Sequence, residues 1–474
     1  MGLKKNIFYN SILTSANYIF PLITYPYISR VLGVENIGKC NFVDSVIFCF
    51  VIFATLGVDL VGTREIARSQ GEEREKVFSG LFTINGLTTL ISLLILGVCV
   101  LYVEKFSEYS ILFLIGSFRL LFSFLSVNWL FQGLERFRFV TIRTVIVRSV
   151  FVILVFALVG NSDEFVIYYI LLTASVVVNG LINIIYARKE ISFCFDWNVT
   201  LQLVKPIMYM GLYTIMCWLY NSFSTVYLGF ISNDTEVGYY TTATKLYTLF
   251  LSLFSALSAV MVPRLSSLSV DNKKGYQSLI NSSFNLVLTF TIPLAIYVAS
   301  YSGEIIRMIS GEGYEGASTP MQIIMPLIII VGISQIVIMQ ILIPFNRDKQ
   351  ILFSTICGAL FGITVNIVLV PSLGSVGAAI SWVSSELLVL LVAYYCVKRY
   401  TDCTLSLKLL CNHILCGFPY FFILFLINKY VDCNSYILML LSAFLCIVLF
   451  CIMHFAILKN ELLIGIIKSI KQIK

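Results

Sequence analysis

The sequence predicts an all-α polytopic membrane protein, and three observations carry that prediction. Of 474 residues only 12% are charged and 59% are hydrophobic, where a soluble domain carries about 25% charged residues; so few charges cannot clothe soluble cores of this size. Apolar runs long enough to cross about 30 Å of hydrocarbon recur throughout the chain. These runs are continuous and mostly about twice the roughly 10 alternating residues of a barrel strand, which excludes a β-barrel.

Fourteen runs are expected. The first, 8–30, holds Pro21 and Pro26 and ends at Arg30; its length, its prolines and the lack of a small-x-small pattern before Arg30-Val31-Leu32-Gly33 distinguish it from a cleavable signal peptide. The second, 40–62, carries Asn41, Asp44 and Asp59, and the third, 79–102, carries Asn85. Arg119 and Asn128 lie in the fourth, 109–131, with Gln132 just beyond it. The fifth, 144–160, is short and contains Arg148; the sixth is 164–186. Pro206 opens the seventh, 206–229, which includes Asn221, and Lys245 lies in the eighth, 239–263. The ninth, 282–301, has Pro293, and the tenth, 321–344, has Pro326 and Pro344. Asn366 is in the eleventh, 352–370, and Glu386 in the twelfth, 376–397; runs 410–429 and 434–457 complete the set. Prolines at these depths interrupt helices where side chains, water or a cavity take up the freed carbonyls.

With the N-terminus inside, 24 of the 32 Lys and Arg residues fall on one side, including Arg64 to Lys76, Arg136 to Arg143 and Arg188 to Lys205. This bias places both termini in the cytoplasm. The net charge of +7 is thus a topology signal, and loops this short offer no basic surface for nucleic acid. Thirteen scattered cysteines and two histidines give neither a disulfide framework nor a metal site.

A repeat is legible at an offset of 200. Asn36-Ile37-Gly38 precedes the second run as Glu236-Val237-Gly238 precedes the eighth, and Arg64 corresponds to Arg264. Six runs separate the copies, so the halves share an orientation. The expected organisation is a six-helix bundle over 1–186, a cytoplasmic linker over 187–205, a second six-helix bundle over 206–398, and two additional helices with a tail over 399–474, with a cavity between the bundles. Glu65 to Lys76, alternating in charge, reads as a short surface helix. The outer segment 302–320 reads as irregular; its Gly311, Gly313 and Gly316 lack the strand–helix context of a nucleotide fingerprint.

Ionisable residues inside the runs are the strongest internal pointer to function, because each costs at least about 2.5 kcal/mol near mid-bilayer unless paired or hydrated. Arg119 and Glu386 sit near the midplane, in different halves. Lys245 stands beside the repeat equivalent of Asp44. Arg30, Arg148 and Asp59 lie nearer the helix ends, where long side chains also snorkel and acids also pair locally. Asn41, Gln132 and Asn221 either line a polar lumen or hydrogen-bond between helices at about 0.6 kcal/mol apiece. No Walker lysine and no nucleophile–base spacing occurs, so a transporter is expected and not an enzyme.

Five segments share a family character: Ile28-Ser29-Arg30-Val31-Leu32-Gly33 with Gly38; Gly57 to Arg64-Glu65-Ile66-Ala67; Asn128-Trp129-Leu130-Phe131-Gln132-Gly133-Leu134-Glu135; Val262-Pro263-Arg264-Leu265-Ser266; and Pro371-Ser372-Leu373-Gly374-Ser375-Val376-Gly377-Ala378-Ala379. In this order they resemble the polysaccharide transport family, the Wzx-type O-antigen, capsule and teichoic acid repeat-unit flippases. The resemblance implies a MATE-like fold of the MOP superfamily in the bacterial cytoplasmic (inner) membrane. It implies movement of undecaprenyl-diphosphate-linked oligosaccharide to the outer leaflet, through a cationic cavity, for surface polysaccharide such as lipopolysaccharide or capsule. It further implies no cofactor, H⁺ or Na⁺ coupling, a functional monomer, and association with membrane lipids, a polysaccharide polymerase and glycosyltransferases. By depth and chemistry Arg119, Lys245, Arg30 and Arg148, with Asn41, Gln132 and Asn221, fit the diphosphate and glycan cavity. Glu386, Asp44 and Asp59 fit coupling or gating carboxylates. Two other readings stay open: an ion-coupled exporter of small molecules with the same fold, and a non-transporting scaffold of polysaccharide assembly.

Overall fold

The computed structural model describes residues 3–267, 273–345, 347–431 and 434–453; the side chains of 252–274 and a few others, Asn221 among them, lie outside that description. Among the described residues nine helices are long and apolar enough to cross a membrane. The chain forms two compact units, Met1–Thr241 and Thr242–Lys474.

The first unit opens with α1, Leu3–Thr55, 53 residues long. A straight helix of that length would measure about 80 Å, more than twice the hydrocarbon thickness. It holds two crossings, because Gly33 leaves the helix at φ 74° and ψ 168°, on the side of φ that glycine tolerates without strain. Asn36 Nδ2 donates to the Leu32 carbonyl beside this break at 3.2 Å. The second crossing breaks again at Leu56 and Gly57, both at positive φ, and resumes as α2, Val58–Arg68.

After Ser69 and Gln70 comes α3, Gly71–Tyr102. The charged segment from Glu65 to Lys76 is therefore the end of one helix and the start of the next, and not a separate surface helix. Arg74 accounts for the sharp passage: its Nε and one terminal nitrogen donate to the Ser69 carbonyl at 2.9 and 2.6 Å. Glu72 and Glu73 occupy the first turn of α3, where carboxylates favour the exposed amides.

Next are α4, Glu104–Glu108, and α5, Ser110–Ser123. The chain tightens to a 3-10 turn over Phe124–Ser126, leaves the helix at Val127 with positive φ, and continues as α6, Asn128–Gly133. Then follow α7, Phe137–Leu158, α8, Phe165–Glu190, α9, Trp197–Ile231, and α10, Asp234–Ser267. The expected surface segment 187–205 is helical at both ends and extended only over 191–196. Asp196 caps α9, accepting from the Asn198 and Val199 amides at 2.9 and 3.2 Å, with Lys76 Nζ at 3.6 Å. The Val199 amide first, then Asn198 and the lysine, hold its carboxyl below the usual carboxylate range.

Three bonds fix the direction of α7 against α1. Thr141 Oγ1 donates to the Tyr9 carbonyl at 2.9 Å, an Arg148 terminal nitrogen to the Ala16 carbonyl at 3.2 Å, and Tyr27 Oη to the Val159 carbonyl at 2.7 Å. Each pair is 132 residues apart. A constant difference, as opposed to a constant sum, means that the helices run parallel. An odd number of crossings must separate them, as the second, third and fourth do.

Side-chain character is inverted relative to a water-soluble bundle. Along α3 the buried face carries Asn85, Thr89 and Ser92, while Leu87, Leu90, Ile91 and Leu94 point outward, all more than half exposed. Lipid is as apolar as leucine, so cohesion comes from close packing and small residues. A Cβ on Gly62 would meet the Trp129 ring at 2.8 Å, and one on Gly57 would meet the Gly211 nitrogen at 2.6 Å. The Trp129 segment is thereby seated on α2.

The second unit comprises the rest of α10; α11, Lys273–Ser300; α12, Ser302–Ser310; α13, Ser318–Ile324; and α14, Leu327–Gln335, which widens to a π-helix over Ile336–Leu342. Then come α15, Asp348–Tyr400, α16, Leu407–Tyr430, and α17, Ser435–Cys451. The segment 302–320 is mostly helical and not irregular; Ile305 and Ile306 are buried anchors for α12, and Gly311 at φ 90° stops it. Like α1, α15 has 53 residues and leaves the helix at a glycine, Gly374, with φ 53°. In the π-helix the Gln340 carbonyl accepts from Tyr276 Oη at 2.6 Å. Buried His413 lies 3.2 Å from Thr289 Oγ1 and ties α16 to α11. Side chains of the 262–266 motif, and the tail beyond 453 with Lys459, are outside the described residues.

Candidate functional site

The structure joins two of the expected site residues into an ion pair inside the first unit. An Arg119 terminal nitrogen on α5 donates to Asp44 Oδ1 on the second crossing of α1, with side chains 20% and 33% exposed. Local sequence makes this approach possible. One turn from Arg119, a Cβ on Gly116 would lie 2.6 Å from Ile47 Cγ1, and Ile47 is one turn from Asp44. Without a side chain at 116, α5 comes close enough for the guanidinium to reach the carboxylate. In a medium of low dielectric such a pair offsets much of the penalty either charge would carry alone. It also leaves Arg119 neutralised, so an incoming anion must compete with Asp44.

Other expected residues of this unit have different surroundings. Arg30 is exposed on α1, three residues before the Gly33 break. Arg148 is partly buried and ties α7 to the Ala16 carbonyl. Asn41 Nδ2 donates to Thr241 Oγ1 at 2.9 Å, beside a crossing at which a Cβ on Gly38 would overlap the Asp234 carbonyl and one on Gly238 the Val34 carbonyl. Positions 38 and 238, and 41 and 241, are the same places in the 200-residue repeat. Asp59 is exposed in the first turn of α2, and Gln132 on α6 accepts from Thr63 Oγ1 at 3.4 Å. The Asn221 side chain lies outside the described residues.

In the second unit Lys245 is half-buried on α10. Glu386 is 8% exposed on α15, one turn from Trp382, whose ring meets that of Tyr247 edge-on at 5.1 Å. A buried carboxylate near two electron-rich rings is suited to a cation.

Arg143 is the residue that sequence reasoning missed. The Arg136 to Arg143 segment reads as a loop, but α7 begins at Phe137 and carries Arg143 inward, where it is 8% exposed. One terminal nitrogen donates to Asn183 Oδ1, the other to Thr144 Oγ1 at 3.0 Å, and both lie 3.5 Å from Asn128 Oδ1. Asn183 in turn donates to the Ser126 carbonyl and, at 3.2 Å, to Asn128. This network supplies partners where the fourth crossing loses its helix between α5 and α6, as irregular backbone at membrane depth requires. Asn128 and the next span's Asn183 were the signal in the sequence. Among the described residues no cluster of three His, Cys, Asp or Glu is placed to hold a metal.

Residues 3–269 match the pattern of the family described as polysaccharide biosynthesis protein. A relative from Escherichia coli (strain K12), named as an O-antigen transporter, is 25% identical over 402 residues, 82% of this chain and 95% of that protein. Among solved structures, a lipid II flippase MurJ in an inward closed conformation superposes with a TM-score of 0.81 at 16% identity, over 96% of this chain and 100% of that one. An inward-facing multidrug resistance MATE family transporter of the MOP superfamily gives 0.63 at 15% identity, over 80% and 93%. The expected MATE-like fold is thus the fold of this chain.

Proposed function

We propose a function from one premise: the chain belongs to the polysaccharide biosynthesis protein family, whose pattern spans residues 3–269. It is a multi-pass membrane transporter that flips a lipid-linked saccharide for surface polysaccharide assembly. More finely, the cargo is an oligosaccharide repeat unit on undecaprenyl diphosphate, carried from the cytoplasmic to the outer leaflet by alternating access. Both termini are cytoplasmic, in the bacterial inner membrane, and the protein acts without covalent catalysis and as a monomer. Membrane lipids surround it, and polymerase and glycosyltransferases are its partners.

The observation that carries this reading is the Arg119–Asp44 pair. A diphosphate crosses hydrocarbon only where fixed cations compensate it. Arg119 is such a cation, held at membrane depth by a partner that an anion can displace. Protonating Asp44 would release the guanidinium for the diphosphate, which makes Asp44 the natural seat of H⁺ coupling; a Na⁺ ion at the carboxylate would act in the same sense. Arg30, Arg148, Lys245, Asn41, Gln132 and Asn221 complete the cationic and polar path, with Asp59 and Glu386 as gating acids. A second reading, export of a small organic cation, draws on Glu386 with Trp382 and Tyr247.

The test is reconstitution in liposomes with a fluorescent undecaprenyl-diphosphate oligosaccharide and an impermeant reagent in the bath. Wild type is expected to make the label reachable rapidly, and Arg119→Ala to slow this tenfold or more, about 1.4 kcal/mol. Label no more reachable than in empty liposomes, under H⁺ or Na⁺ gradients of either sign and with cognate glycan, would sink the flippase reading. Uptake of an organic cation lost in Glu386→Gln would favour the second.

A further inference from the structure

A cleft of about 470 Å³ opens beside α7 and α8, away from the Arg119–Asp44 pair. Three arginines, Arg136, Arg138 and Arg143, line it together with apolar Ile142 and Ile146 of α7 and Ile182 of α8. Phe139 and Tyr186, stacked with ring centroids 4.0 Å apart, make one wall.

The arrangement is amphipathic along the helix axis. Arg136 and Arg138 are at the start of α7 and exposed; Arg143 lies about 7 to 10 Å further along the axis at about 1.5 Å per residue. Next to it Ile142, and one turn beyond it Ile146, are 43% and 57% exposed, facing hydrocarbon. The charges do not cancel. Arg136 bonds Glu190 at 2.9 Å, but the hydrogen-bond acceptors around Arg143 are neutral, and Arg138 has no ion-pair partner among the described residues. The buried Arg143 Nε, moreover, has no hydrogen-bond acceptor among the described residues. With three cations and one carboxylate the site keeps an excess of two positive charges over an apolar wall.

We propose that this cleft binds an anionic phospholipid, its headgroup phosphate held by Arg138 and Arg143 and an acyl chain lying along Ile142 and Ile146. Basic pockets between membrane helices recognise acidic headgroups in this way. The phosphate supplies the negative charge that Arg138 and Arg143 do not find among their described neighbours, and a phospholipid brings the chain that the isoleucine face requires. The inference is independent of the cargo, because the site is built from one unit and requires no transport.

The purified full-length protein is titrated with phosphatidylglycerol and phosphatidylcholine of identical acyl chains, and retained lipids are counted by native mass spectrometry. Wild type is expected to prefer phosphatidylglycerol, and Arg138→Gln to weaken that preference about fivefold, the worth of one arginine at an anionic surface. Ile146→Trp, which fills the cleft without altering charge, is expected to reduce retention as well. Arg143→Gln is unsuitable alone because it also removes the Asn128–Asn183 network. Equal retention of the two lipids, or a preference that survives both Arg138→Gln and Ile146→Trp, overturns the proposal. So does displacement of phosphatidylglycerol by equimolar undecaprenyl diphosphate, which would make the occupant a prenyl lipid.

Discussion

Two arginines of the first unit, Arg119 and Arg143, both lie on membrane helices and both bond to neighbouring side chains, yet they solve the problem of a buried cation differently. Arg119 meets a carboxylate, so its charge is cancelled and its partner is exchangeable. Arg143 meets amide and hydroxyl oxygens, so its hydrogen bonds are largely satisfied while its charge persists. The first arrangement suits a group that must release and rebind an anion. The second suits a group that holds a broken helix in place. Depth alone does not separate them; the chemistry of the acceptors does.

The sharpest test of this contrast is to exchange the partners. Asp44→Asn leaves an arginine without its carboxylate and is expected to lower stability by about 2.5 kcal/mol, read as the thermal midpoint in detergent. The double variant Asp44→Asn with Arg119→Gln is expected to recover most of that stability and none of the flipping. Recovery of flipping would make the pair structural. Arg143→Gln strands amide acceptors of Asn128 and Asn183 and is expected to cost about 2 to 3 kcal/mol. Arg143→Lys should do no better, because an ammonium lacks the planar fork that spans both asparagines. Arg119→Lys should keep the ion pair and retain more flipping than Arg119→Ala. Equal outcomes for lysine at the two positions would break the comparison.

A smaller change probes how the pair is positioned. Gly116→Val forces α5 off Ile47 and is expected to cost about 2 kcal/mol and to slow flipping with Arg119 itself intact. The smallest effect belongs to the surface pair of Asp196 and Lys76. Because its folded pKa is depressed below 3.8, Asp196 contributes stability that is complete above that pH and fades as pH falls through the depressed value. The melting difference between wild type and Asp196→Asn should therefore persist at neutral pH and close only in strong acid. It should shrink in high salt, which the Arg119–Asp44 pair should resist.

The fold was legible where one physical rule dominates. Hydrocarbon thickness and the scarcity of charge marked the spans, and Gly33 and Gly374 fall between runs that the hydropathy had already separated. Legibility failed where local chemistry overrides composition. Arg136 to Arg143 carries enough charge to read as a loop, but guanidiniums reach the interface or neighbouring amides while their backbone stays helical, so the helix starts earlier than its apolar run. Glycines at 311, 313 and 316 gave 302–320 the look of a loop, although only 311 ends a helix. At the candidate site, Asp44 and Arg119 were each legible as costly charges; that they meet was not, since the contact depends on Gly116 and on tertiary approach. The repeat offset of 200 was faint in the sequence, yet its paired positions 38 and 238, and 41 and 241, touch.

The ties between α1 and α7 carry a mechanical consequence. Thr141, Arg148 and Tyr27 grip carbonyls across the two helices at one shared offset, over the length of the crossing. Sliding either helix past the other by a single residue would unseat all three at once, because each carbonyl's replacement lies a helical step away and around the cylinder. Small displacements therefore find no intermediate foothold. The two crossings are geared to travel as a single strut, and any motion of the first unit is transmitted along them undamped or passes around them at the Gly33 joint.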